Sequence, residues 1–311
     1  MRLLVAVPIA VFALAFGGSF AYHSLADASA PRAKPPRPAA GSERIAVSVR
    51  GVGTGDSYLW TVSLDGSDPV QLTRPGASES LNDAFTSWSP DGKTILFVRQ
   101  VIENPADPTN PHLYAIAPDG TGLRQLTEDE GFDLLPSWAP DGSLIVFSRV
   151  VDEQSTDVFT MRPDGSGVAR LTSSAAHEDM ASFSPDGKRI IYTRIDRATE
   201  DLYVMNADGS GQTPFLEGPE HDGSPDWSPD GSRIAFVRDG RIAVIGSDGE
   251  GVRRLTRGGP PASNPQWSPD GLRILFTRDP GEVFVMKADG SGLVRVPIDG
   301  QAGGASWGPA E

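Results

Sequence analysis

Residues 87–99 read SWSPDGKTILFVR, and the chain nearly repeats them as SWAPDGSLIVFSR from 137, SFSPDGKRIIYTR from 182, DWSPDGSRIAFVR from 226 and QWSPDGLRILFTR from 266. Aligned on the aromatic, the series runs Trp88, Trp138, Phe183, Trp227, Trp267 and Trp307, at spacings of 50, 45, 44, 40 and 40 residues. A period of this length marks an array of supersecondary units, none of which buries its apolar face alone. Two further elements keep the period, each in six copies: an aliphatic run, from RIAVSVR at 44–50 to RILFTR at 273–278, and a half-repeat, from SLDGSDPVQLT at 63–73 to KADGSGLVRVP at 287–297.

Each unit therefore reads as four short strands: A around the aromatic, B as the aliphatic run, C as in LYAIA at 113–117, and D as in RQLT at 124–127. In S-P-D-G, proline sets φ for the first central turn position and aspartate accepts the second. Glycine takes the left-handed one, so A folds back onto B as a hairpin. D-G-S-G does the same between C and D. The expected fold is all-β: a six-bladed β-propeller of four-stranded antiparallel blades spanning 43–311, with the six aromatics as anchors between blades. The chain enters at a B-like strand and ends on an A-like one, GASWGPAE. Pairing the C-terminal strand with the N-terminal blade would close the ring and remove both exposed edges.

The W-S-P-D-G repeats with their D-G-S-G…L-T half-repeats resemble the WD40-like Pro-Asp repeats of the TolB-type six-bladed propeller. The resemblance implies a propeller that binds a protein or peptide of the cell envelope. It departs from TolB before residue 43, where a hydrophobic segment and linker stand in place of an α/β domain.

That segment, residues 3–22, carries no charge and follows Arg2. Residues 1–30 read as a signal peptide or membrane anchor and 31–42 as a Pro-rich linker, which predicts an extracytoplasmic protein, periplasmic, secreted or anchored. Cleavage and retention both remain open, and membrane contact is expected only through this segment if uncleaved. The chain has no cysteine, excluding disulfides and thiolate sites. Its formal charge is −14 overall, and the part after residue 42 holds 23 basic and 40 acidic side chains, net −17. Such acidity argues against nucleic acid and favours cations or basic partners. A monomer is expected.

Strand parity puts the A–B and C–D turns on one rim and the irregular B–C and D–A connections on the other, where recognition is expected. Five residues before the aromatic stand Asp83, Asp133, Glu178, Asp222, Ala262 and Ala302, placed in the D–A loops; His177, His221 and Asp179 are adjacent. Asp83, Asp133, His177, Glu178, Asp179, His221 and Asp222 are the candidate binding residues. Convergence on the channel mouth would offer oxygen ligands to calcium or another divalent cation. Turn capping would use the same aspartates without a ligand.

No catalytic residue is assigned. GASWG at 304–308 matches the nucleophile-elbow pattern, yet Ser306 fills the slot before the aromatic that Ser87, Ser137 and Ser182 fill elsewhere. The favoured function is a non-catalytic protein- or peptide-binding scaffold. The alternative is a metal-dependent propeller enzyme, a carbohydrate lyase or lactone hydrolase, with a site at the channel mouth built on His177, His221 and the nearby carboxylates.

Overall fold

A computed structural model of the chain describes residues 43–309, apart from 52–54, 75–79, 103–109, 129–130, 153–154 and 197–198. The expected leader at 1–30 and linker at 31–42 lie outside the described residues. Among these residues there is no helix, and the 24 strands lie in two eight-stranded and two four-stranded sheets, antiparallel except for one parallel bridge in each eight-stranded sheet, Ser57 to Asn82 and Thr156 to His177. Grouped by the sequence repeat, the strands make six units.

Unit one takes β1 (Arg44–Arg50), β2 (Ser57–Ser63) and β3 (Val70–Gln71), and unit two β4 (Ser80–Trp88), β5 (Ile95–Ile102), β6 (His112–Ile116) and β7 (Arg124–Gln125). Unit three has β8 (Phe132–Trp138), β9 (Ile145–Asp152), β10 (Ser155–Met161) and β11 (Ala169–Arg170). Unit four has β12 (His177–Phe183), β13 (Arg189–Asp196), β14 (Thr199–Asn206) and β15 (Thr213–Leu216). β16 (Asp222–Trp227), β17 (Arg233–Arg238), β18 (Arg241–Gly246) and β19 (Arg253–Arg254) form unit five. β20 (Ala262–Trp267), β21 (Arg273–Arg278), β22 (Glu282–Lys287) and β23 (Val294–Arg295) form unit six. The last strand, β24 (Gln301–Trp307), pairs antiparallel with β1, Ile45 opposite Trp307 and Arg50 opposite Gln301, and so supplies the fourth strand of unit one.

The S-P-D-G turns explain the hairpins. At 89–92 the Gly92 N–H donates to the Ser89 carbonyl at 2.9 Å, with Gly92 at φ 68°. The Asp91 carboxylate accepts from Ser89 Oγ at 2.7 Å and from the Lys93 N–H at 3.1 Å. These bonds hold the turn carboxyls below their usual range, Asp230 down to about 2. The repeated aspartates are thus turn fasteners.

Apolar packing lies between units rather than inside them. Trp227 joins Ile191 and Leu202 of unit four to Ile234 and Phe236 of unit five. Trp267 joins units five and six through Ala235, Ile242, Ile274 and Phe276. Around Trp307, Leu275 and Val283 of unit six meet Ile45 and Val47 of unit one. An arginine from the preceding unit covers three of these rings, Arg189 over Trp227 at 4.8 Å, Arg233 over Trp267 at 4.6 Å and Arg273 over Trp307 at 5.2 Å. Phe183 is buried in the same position, whereas Trp88 and Trp138 are only partly buried.

One placement differs from the reading of the sequence. Asp83, Asp133, Glu178 and Asp222 sit inside β4, β8, β12 and β16, not in loops. A break in alternation three residues before the aromatic hid this. Each of these four strands, and β20, carries a bulge there, for example between Ala84 and Ser87 in β4 and between Leu134 and Ser137 in β8. Beyond the bulge, pairing resumes toward the irregular rim.

Candidate functional site

Bulge, register and burial together decide where the candidate side chains point. Asp83, Asp133 and Asp222 are fully buried, and each lies directly opposite an arginine of its own unit, Arg99, Arg149 and Arg238. The arginine forks close on them in two-pronged pairs: Arg99 Nε and Nη2 at 2.7 and 2.8 Å, Arg149 at 2.6 and 2.8 Å, Arg238 at 2.7 and 2.6 Å. Aromatic rings fix the forks, Arg99 lying 5.1 Å from the Phe97 centroid and 5.4 Å from that of Tyr114. Thr73 Oγ1 of the preceding unit also donates to Asp83 at 2.6 Å. Burial raises the Asp83 and Asp222 carboxyls, opposed by the paired arginines. These three carboxylates are therefore occupied within the protein.

Unit four departs from this arrangement. Glu178 lies opposite Arg194 with a closest approach of 3.8 Å, and neither of its buried oxygens has a hydrogen-bond partner. The next residue, Asp179, is also buried with both oxygens unpartnered, and burial together with the nearby Glu200 charge pushes its carboxyl up to about 7. Burial raises Glu200 too, while the His221 charge pulls it back. Glu200 rests against Gly223, where any Cβ would overlap its carboxylate. His177 Nδ1 meets Thr156 Oγ1 at 3.2 Å, and the exposed His221 donates its backbone N–H to Asp239 Oδ1 at 3.2 Å. Among the described residues no three His, Asp or Glu side chains form a metal-binding group. The seven candidates are thus three arginine-held aspartates, two buried acids without a hydrogen bond, of which Glu178 keeps a loose ion pair to Arg194, and two histidines with separate partners.

The bulges build a second feature. Phe85, Leu135, Met180, Ser224 and Asn264 occupy the same position of five A strands and all adopt left-handed φ, between 50° and 54°. Gly304 of β24 takes the sixth position at φ 145°. Left-handed backbone costs a non-glycine residue about 1–2 kcal/mol. Here it re-aims the side chains, and all six residues line one cavity of about 110 Å³.

Asp226 lines the same cavity. It accepts from the Trp267 N–H at 2.7 Å and from Ser182 Oγ at 3.3 Å. It keeps partial contact with the cavity space, yet it lies deep among the A strands, where water solvates it poorly. Burial raises its carboxyl to about 7, against those two donors. The sequence reading missed Asp226. Its signal was a broken repeat: the slot before the aromatic holds Ser87, Ser137, Ser182 and Ser306 in four units, but Asp226 and Gln266 in the other two.

The sequence matches the TolB beta propeller domain family over residues 23–218, more than half of the chain. The chain belongs to that family. Solved propellers share its fold. TolB from Acinetobacter baumannii superposes with a TM-score of 0.71 at 22% identity, covering 88% of this chain and 68% of that one. A chain of a nidogen/laminin complex gives 0.70 at 10% identity, covering 87% and 100%. Oligogalacturonate lyase from Vibrio parahaemolyticus gives 0.53 at 14% identity, covering 76% and 70%. At these identities the likeness establishes the propeller fold alone. No curated protein matches the sequence.

Proposed function

We propose that this TolB-type propeller is a non-catalytic binding module that takes a basic side chain of a protein or peptide segment at the mouth of its central cavity. The carrying observation is the cavity lining: six equivalent bulge positions hold six different residues, and a single carboxylate, Asp226, stands among them. Structural repetition alone does not require that variety. The left-handed strain retained at Phe85, Leu135 and Met180 supports a functional reason for it.

In this reading the six units are blades of one ring that the β24–β1 pairing closes, and the N-terminal 42 residues deliver the propeller outside the cytoplasm or anchor it there. The binding class is favoured over the metal-dependent enzyme because Asp83, Asp133 and Asp222 are already held by arginines.

Panning the full chain against a random linear-peptide library tests the proposal. Enriched peptides should share a Lys or Arg and bind an Asp226→Asn variant at least tenfold more weakly. If no peptide distinguishes wild type from Asp226→Asn, the cavity is not the binding site.

A further inference from the structure

We infer that Arg278 marks a separate carboxylate-binding site on the irregular rim of unit six. Three units repeat one construction. An aspartate on the A strand faces an arginine on the B strand, and the arginine stacks on a ring of its own unit and clasps the acid with Nε and Nη2. This holds for Asp83 with Arg99, Asp133 with Arg149 and Asp222 with Arg238.

Unit six keeps every part except the acid. Ala262 lies directly opposite Arg278 in the same register. Arg278 holds the stacked pose, its guanidinium 5.4 Å from the Phe276 centroid and 5.1 Å from that of Phe284, the two rings being stacked on each other. Its Nε is buried without a hydrogen-bond partner, and among the described residues no carboxylate pairs with it. Leaving such a donor unsatisfied is costly, so a pre-oriented, unmatched fork is more than a neutral loss of an aspartate. Unit one is not a second case. There Ala302 faces Val49, and Arg50 Nε donates to the Gly55 carbonyl.

The missing group defines the ligand. Ala262 leaves out one carboxylate, and three sister forks hold a carboxylate in two-pronged geometry. Arg278 remains partly exposed at the rim, so an incoming carboxylate reaches its terminal nitrogens first and completes the clasp at Nε. The protein's formal charge of −14 disfavours more highly charged anions such as phosphate. The site would take a peptide C-terminus, an Asp or Glu side chain, or a small organic acid. It is independent of the cavity and of Asp226.

The test uses full-length protein labelled with ¹⁵N-arginine and titrated with sodium acetate at constant ionic strength, with chloride as the control. One Nε resonance, assigned by its disappearance in Arg278→Gln, should shift saturably with acetate and not with chloride. Ala262→Asp supplies the carboxylate internally and should abolish that response. Ala262→Leu, which fills the gap without charge, should abolish it as well and covers the case in which the aspartate variant fails to fold. Parallel titrations with acetyl-Ala-Ala-Ala as free acid, the same peptide as amide, and acetyl-Ala-Glu-Ala amide distinguish a C-terminus from a side chain. Absence of a saturable shift in wild type, an unchanged shift in both Ala262 variants, or a larger shift with inorganic phosphate than with acetate would overturn the assignment.

Discussion

The carboxylate of Asp226 accepts a hydrogen bond from the backbone N–H of Trp267, 2.7 Å away in the neighbouring unit. A residue that lines the cavity thereby also ties two A strands together. Cavity chemistry and unit spacing are coupled at this one side chain.

That coupling sets a pH dependence. Burial raises Asp226 and Asp179 to about 7, above the roughly 4 of an aspartate in the unfolded chain. Between those values the folded protein keeps protons that the unfolded chain releases, so both groups lower stability as pH rises from about 4 to 7. Asp226→Asn and Asp179→Asn should each gain up to about 4 kcal/mol over wild type at pH 8 relative to pH 4, because each tenfold difference in proton affinity between folded and unfolded chain is worth about 1.4 kcal/mol and the two states differ by about three such steps. Urea midpoints at the two pH values measure this. Equal differences at both would mean that neither proton is held.

Removing one partner of a buried arginine clasp exposes the other to full desolvation cost. Asp133→Ala should destabilise by about 3–5 kcal/mol, and Asp133→Ala with Arg149→Met should recover much of the loss. A denaturant double-mutant cycle gives the coupling. If the single and double variants melt together, Arg149 is solvated in the variant and the pair is not a buried one.

The strained bulges make a sharper sequence demand than their exposure suggests. Leu135→Val should cost about 1–2 kcal/mol more than Leu135→Asn, because a β-branched residue at positive φ crowds its own backbone whereas asparagine tolerates it. Differential calorimetry decides the order, and the reverse order would remove backbone strain from the account.

At the unit boundaries, Trp267→Ala should cost about 3–5 kcal/mol, as large-to-small core changes do. The partly buried Trp138 should fall toward the lower end. Arg233→Ala, which strips only the cation from the Trp267 face, should cost about 0.5–1 kcal/mol. A loss below about 1 kcal/mol for Trp267→Ala would contradict its place in the core.

The fold was legible because its signals are local and repeated. S-P-D-G and D-G-S-G encode turns that need no distant partner, and the six-fold aromatic reports the period directly. The site was less legible. Asp83, Asp133 and Asp222 stood out as a column of acids, but their arginines lie 16 residues onward in the neighbouring strand, and only the bulged register brings each pair face to face. The bulge itself has no composition signature, for Phe85, Leu135 and Met180 are residues that ordinarily avoid positive φ. Asp226 and Ala262 were visible only as single departures from a repeat, and such departures acquire meaning once the sister positions are seen in space.

Deleting residues 303–311 should sharply lower the melting temperature, because it strips most of β24 from β1 and removes the Gly308 N–H bond to the Arg44 carbonyl. Unchanged melting after the truncation would refute that dependence.

The β24–β1 ladder also orders events in time. Its two strands lie about 250 residues apart, and joining such distant segments carries a chain-entropy cost on the order of 5 kcal/mol. A ribosome releases β1 well before β24, so until β24 emerges the nascent chain carries one sheet edge whose native partner does not yet exist. Units two to six can zip from sequence neighbours, while unit one waits for β24. The newborn chain is thus most open to a chaperone, or to mispairing, at β1, and that vulnerability ends only when β24 arrives.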